Sequence, residues 1–126
     1  MPQNTPGHRI LLVEDEAMIS MLIQDMVLDL GHAVVGPAVK IDDAMFLARR
    51  ADFDLAILDI SIGGTAVYPI ADILRSRGIP FIFVTGYDKK ALPPRFEGSR
   101  ILSKPFSDQS FGDTLGEIFA ASPTAC

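Results

Sequence analysis

The sequence predicts an α/β fold: a doubly wound (βα)5 arrangement around a central five-stranded parallel sheet, with the fourth helix short or disordered. Short apolar runs of strand length alternate with segments whose apolar residues recur at helical spacing, which is the pattern of βα units. Four of the runs also end on polar groups. Ile10-Leu11-Leu12-Val13 runs into Glu14-Asp15, Leu55-Ala56-Ile57-Leu58 into Asp59, Phe81-Ile82-Phe83-Val84 into Thr85, and Ile101-Leu102-Ser103 into Lys104. In a parallel sheet the carboxyl ends of the strands open onto one crevice, so these groups are expected to meet there. At 126 residues the chain has the length of one domain, expected over 1–126 with its core at about 9–120, and such a domain buries about two-thirds of its unfolded surface.

The first strand is expected at 9–14. From Glu16, the residues Met18, Ile19, Leu22, Ile23, Met26, Val27 and Leu30 follow helical spacing until Gly31. A second strand is expected at 33–36, ended by Gly36-Pro37, and a second helix at 42–50 with Ala44, Leu47 and Ala48 inward. Residues 55–59 are nearly continuous in apolar side chains, as in a strand covered on both faces, and are expected to be central. Gly63-Gly64 makes the next loop permissive, Pro69 suits the first turn of the third helix, and Gly78 ends it. After the fourth strand, Pro93-Pro94 remove two backbone donors and disfavour a helical conformation at Leu92, so no full-length helix is expected there. A fifth strand at 100–103 and a last helix from 107 or 108 to 120, with Phe111, Leu115, Ile118 and Phe119 inward, complete the chain before a frayed tail at 122–126.

Composition narrows the function. A net charge of −5 with 21% charged residues lacks the basic footprint of a nucleic-acid binder. The lone Cys126 allows neither an intrachain disulfide nor a multi-cysteine metal site, which fits a reducing cytoplasm. The opening residues lack a charged segment followed by an apolar core, and no apolar stretch reaches the roughly 18 residues of a membrane span. A cytoplasmic protein without membrane insertion is expected.

The strand-end residues suit a hard divalent cation and a phosphoryl group. Mg²⁺ prefers oxygen ligands, and Asp15 and Asp59 can supply carboxylates, with Glu14 acting directly or through water. A carboxylate can attack phosphorus to form an acyl phosphate, and Asp59 is the best-placed nucleophile. Lys104 can pair with one phosphoryl oxygen as a point charge, and the Thr85 hydroxyl can donate to another.

At these residues the chain resembles a response-regulator receiver domain, the phosphorylation switch of two-component signalling, through Val13-Glu14-Asp15-Glu16, Leu58-Asp59, Thr85-Gly86 and Lys104-Pro105-Phe106. The resemblance covers residues 9–120 and implies a flavodoxin/CheY-like fold. It also implies Glu14 and Asp15 as the acidic metal pocket, Asp59 as phosphoacceptor, Thr85 as switch hydroxyl, Lys104 as phosphoryl contact and the Ser61 main-chain carbonyl as a further Mg²⁺ ligand. A cis peptide before Pro105 is expected on the same ground. Phe83-Val84-Thr85-Gly86-Tyr87, the Gly63-Gly64 loop and Tyr68-Pro69-Ile70-Ala71-Asp72 are similar to the FATGUY subclass, which is associated with atypical histidine kinases and with general stress or stand-alone regulators.

The chain also departs from the family. Gly63 stands where ordinary receivers often have proline, so a more mobile loop is expected. Ile101 occupies the usual switch-aromatic position, which leaves Tyr87 as a candidate switch that changes exposure on phosphorylation. The broken segment 88–98 is expected to order, rather than shift, on phosphorylation. Among the remaining residues, Glu16 is assigned to the helix N-terminus through the macrodipole. His8 and His32 are assigned to the surface, and Met18, Met21 and Met26 to core and helix-face packing.

The expected function is that of a single-domain response regulator, not an enzyme in the usual sense. It takes a phosphoryl group from a histidine kinase or phosphotransfer protein, using Mg²⁺, and switches protein interactions in a phosphorelay. Two other classes stand beside it. One is a constitutive, non-phosphorylated binding module. The other is an aspartyl-phosphate hydrolase of the haloacid dehalogenase type, which needs a second Asp where this chain has Ser61.

Overall fold

The computed structural model describes residues 7–86, 92–104 and 106–121. Strand β1 (Arg9–Val13) leads into α1 (Ala17–Asp29), β2 (Ala33–Ala38), α2 (Ile41–Arg50) and β3 (Leu55–Asp59). Two short strands, β4 (Ser61–Ile62) and β5 (Thr65–Ala66), precede α3 (Tyr68–Arg77), β6 (Phe81–Thr85), β7 (Arg100–Ser103) and α4 (Asp108–Ala121). The five longer strands form one parallel sheet in the order β2-β1-β3-β6-β7. β3 is central and all its residues are buried, as its unbroken apolar run predicts.

Alternation along each strand divides the core between two faces. Leu11, Val13, Ala56, Leu58 and Phe83 pack in one cluster with Ala44 and Ala48 of α2 and Ile70, Ala71 and Leu74 of α3. Ile10, Leu12, Ile57, Ile82 and Val84 pack in the other with Ile23 and Val27 of α1 and Phe111, Leu115 and Ile118 of α4. Each Val, Leu, Ile or Phe among them contributes about 1.5–3 kcal/mol on full burial. With both faces covered by helices, the strand ends are where polar groups can gather. Among the described residues, no helix is long and apolar enough to cross a membrane.

Helix ends follow their local chemistry. Pro69 lies in the first turn of α3, and Gly78 closes that helix in the left-handed conformation at φ 73°. Arg77 donates to the carbonyls of Ala48 and Ala51 at 2.6 and 3.1 Å, satisfying acceptors at the end of α2.

Several expectations need correction. β2 does not stop at Gly36 but continues to Ala38 through a register shift against β1. Gly36 makes this possible with φ of 97°, and a Cβ there would lie 2.8 Å from the Ala38 nitrogen. Pro37 is tolerated because β2 is an edge strand. Met18 and Met21 are not core residues but are 78% and 64% exposed. Apolar residues occur nearly all round α1, so their spacing alone does not identify the buried side. His8 and His32 are half-buried rather than free on the surface. The His8 N–H donates to His32 Nδ1 at 3.0 Å, and the His8 ring stacks on Phe119 at 3.8 Å. Parallel pairing of Arg9 with Ala33 brings the two histidines together across 24 residues.

The loop that carries Gly63-Gly64 forms a paired hairpin, β4 against β5. In place of a fourth helix, residues 92–98 hold a single 3-10 turn, Pro94–Phe96, whose Phe96 is completely buried. The expectations for Tyr87, for 88–91 and for the peptide before Pro105 fall outside the described residues.

Candidate functional site

Strand register brings the polar ends level. Val13 pairs with Leu58, so Glu14 and Asp59 each stand one residue further on. Asp59 pairs with Val84 and Thr85 pairs with Ser103, which sets Thr85 and Lys104 at the same edge. The Lys104 N–H donates to the Thr85 carbonyl at 2.8 Å, extending that register by one bond. Glu14 and Asp59 are 2% and 9% exposed, whereas Asp15 faces solvent. Carboxylate oxygens of Glu14, Asp15 and Asp59 lie within 4.8 Å of one another.

Lys104 reaches into this group. Its Nζ lies 3.3 Å from Glu14 Oε1, 3.4 Å from Asp59 Oδ2 and 3.5 Å from Glu16 Oε1. Burial alone would lower the Lys104 pKa, but the nearby charges of Asp59 and Glu14 outweigh it and raise it. The Glu16 contact was not legible in the sequence, where Glu16 reads as a helix N-terminal residue. It does occupy the N-cap of α1, yet its side chain caps no N–H group and turns to Lys104 instead. An 88-residue separation leaves no local signal for that pairing.

The Thr85 side chain is half-buried at the end of β6. Ser61 lies in β4, paired with Ala66, and its N–H donates to Asp59 Oδ1 at 3.4 Å. The Gly63 N–H donates to Asp15 Oδ2 at 2.8 Å. Glu14, Asp15, Asp59 and Lys104 are therefore brought together, with Thr85 and Ser61 on the adjoining backbone.

A divalent cation fits this set. Glu14 Oε1 is buried and accepts no hydrogen bond, because its approach to Lys104 is close in distance but poorly directed. Burial, with the neighbouring Asp59 carboxylate and its charge, pushes the Glu14 carboxyl up from 4.5 to about 7. Three clustered carboxylates against one ammonium leave an excess of negative charge, and the all-oxygen donor set suits Mg²⁺.

Residues 10–115 match the family model described as the response regulator receiver domain. The chain belongs to that family. Receiver domains are signalling modules. The receiver is 33% identical over 112 residues to the phyllosphere-induced regulator PhyR of Methylorubrum extorquens, covering 86% of this chain and 42% of the relative. It thus spans less than half of that relative's length. Among solved structures it is similar to SdrG from Sphingomonas melonis Fr1, with a TM-score of 0.81 and 32% identity, covering 92% of this chain and 99% of that one. It is also similar to the receiver domain of PhyR from Erythrobacter litoralis, with a TM-score of 0.80 and 28% identity, covering 95% and 97% of the two chains.

Proposed function

We propose that this receiver accepts a phosphoryl group on Asp59 from a phosphohistidine of a histidine kinase or phosphotransfer protein, and thereby switches its affinity for a downstream protein. The observation that carries the reading is a buried Asp59 carboxylate held 3.4 Å from Lys104 Nζ beside the Glu14 and Asp15 carboxylates. An Asp59 oxygen attacks phosphorus, the P–O bond forms as the P–N bond breaks, and the donor imidazole leaves with its ring nitrogen free to take a proton. Lys104 transfers its contact from the Asp59 carboxylate to a phosphoryl oxygen. Thr85 donates its hydroxyl to another phosphoryl oxygen and carries the change into the backbone of Gly86 and Tyr87. Mg²⁺, held by Glu14, Asp15, Asp59 and the Ser61 main-chain carbonyl, would neutralise charge on the phosphoryl oxygens.

The exposed face of α1 supports a protein donor. Met18, Met21 and Leu22 are 78%, 64% and 54% exposed just beyond Asp15 and Glu16, giving an apolar seat beside the pocket mouth. The FATGUY-type assignment belongs to the same proposal, supported by the likeness to PhyR and SdrG proteins. SdrG has also been solved in a BeF3-activated conformation, to which this chain is 32% identical with a TM-score of 0.74. The test is a beryllofluoride titration in Mg²⁺ followed by amide NMR. Wild type is expected to shift at Ser61, Thr85 and Lys104 and the Asp59→Asn variant to stay unchanged. Equal spectra for wild type with and without beryllofluoride would contradict the proposal.

A further inference from the structure

At Gly63, where ordinary receivers often carry proline, this chain brings a main-chain donor against the acidic pocket. The Gly63 N–H reaches Asp15 Oδ2 at 2.8 Å across 48 residues of sequence. The donor is carried by a built hairpin. Ser61 pairs with Ala66 and Ile62 with Thr65, leaving Gly63 and Gly64 as a two-residue turn with φ of 58° and 82°. Two successive positive φ values are those of a tight hairpin turn whose twist matches its strands. Both feet of the hairpin are fixed in the core, since Ile62 and Val67 are 2% and 0% exposed and the Val67 N–H donates to the Ile60 carbonyl at 2.8 Å. An anchored hairpin therefore aims one amide at an otherwise solvent-facing carboxylate.

We propose that the Gly63 amide is a positioning group for the cation: by holding one oxygen of Asp15 it keeps that carboxylate in place beside Glu14 and Asp59. The inference rests on the reading of the pocket as a Mg²⁺ site. Ligating carboxylates are themselves held by hydrogen bonds, and loss of such a partner typically weakens metal binding by about 10–100-fold. Proline at 63 can provide neither the N–H nor the positive φ. Alanine keeps the N–H and meets no atom within 4 Å, although its backbone is strained at φ 58°.

The test is Mg²⁺ titration of the unphosphorylated full chain by amide NMR, for wild type, Gly63→Ala and Gly63→Pro, with amide exchange of Gly63 measured in wild type. The proline variant is expected to bind Mg²⁺ at least ~10-fold more weakly and the alanine variant within about 3-fold of wild type. The wild-type Gly63 amide is expected to stay protected at Mg²⁺ saturation. Unchanged affinity in the proline variant, equal weakening in both variants, or loss of Gly63 protection on Mg²⁺ binding overturns the proposal. If the proline variant does not fold, the exchange result in wild type decides. Wild type that binds no Mg²⁺ would overturn the site reading itself, whereas tight binding indifferent to Gly63→Pro would overturn only the role of the amide.

Discussion

Phe96→Ala removes the side chain that fastens the segment before β7 to the sheet. Phe96 is fully buried, with Tyr68 stacked at 5.5 Å and Phe83 and Phe81 edge-on at 5.5 and 6.0 Å. The guanidinium carbons of Arg75 and Arg95 lie 4.7 and 4.8 Å from the ring centre, and Arg95 is held by Asp72 at 3.0 Å. Phe→Ala in a core costs about 3–5 kcal/mol, and aromatic neighbours of this density place the expected loss near ~4 kcal/mol. Domains of this class are stable by about 5–15 kcal/mol, so a large share of the stability would go. The corresponding fall in Tm is roughly 12–20 °C for a chain of this size. Urea unfolding measures it directly through the midpoint at unchanged slope. A loss below about 1.5 kcal/mol would refute the reasoning, because it would mean that the 3-10 turn does not pack on the β3–β6 face as a core element.

Lys104→Ala removes the cation from among Glu14, Asp59 and Glu16, so phosphorylation by a small phosphodonor should fall sharply while Mg²⁺ binding is retained or tightened by the loss of a like charge; mass spectrometry and calorimetry measure the two. Glu14 gives a pH prediction. Its folded pKa is raised from 4.5 to about 7, so the stability it contributes is full below about pH 4.5 and is lost as pH rises through about 7. Melting temperatures of the metal-free protein should therefore fall for wild type relative to Glu14→Gln between pH 5 and 8, and saturating Mg²⁺ should remove the trend. Met21→Lys, on an exposed side chain, should change stability by no more than about 0.5 kcal/mol and leave small-donor phosphorylation intact. Transfer from a phosphohistidine protein should slow, and an unchanged transfer rate would place the donor elsewhere.

The sheet and the pocket were legible because the same residues carry both signals. Continuous apolar runs such as 55–58 mark strands covered on both faces, and their terminators Glu14, Asp59, Thr85 and Lys104 mark one edge. Local order fails where contacts depend on distant chain. Glu16 turning to Lys104, His8 meeting His32 and Phe119, and Phe96 filling the α3 face leave no trace in neighbouring residues. Nor did periodicity find the Ser61–Ala66 hairpin, since two-residue strands are shorter than any alternation that could be counted. The outward Met18 and Met21 were misassigned because a helix apolar on most sides carries no clear moment. That misassignment falls on the surface proposed to receive the donor, where folding and function place opposite demands on an apolar side chain.

The central claim is Mg²⁺-dependent phosphoryl acceptance at Asp59, and intact mass after incubation with a small phosphodonor tests it most directly. One phosphate adduct is expected on wild type in Mg²⁺, with none after chelation and none on Asp59→Ala. An adduct that survives Asp59→Ala, or a wild type that stays unmodified under conditions that label a control receiver, would contradict the account.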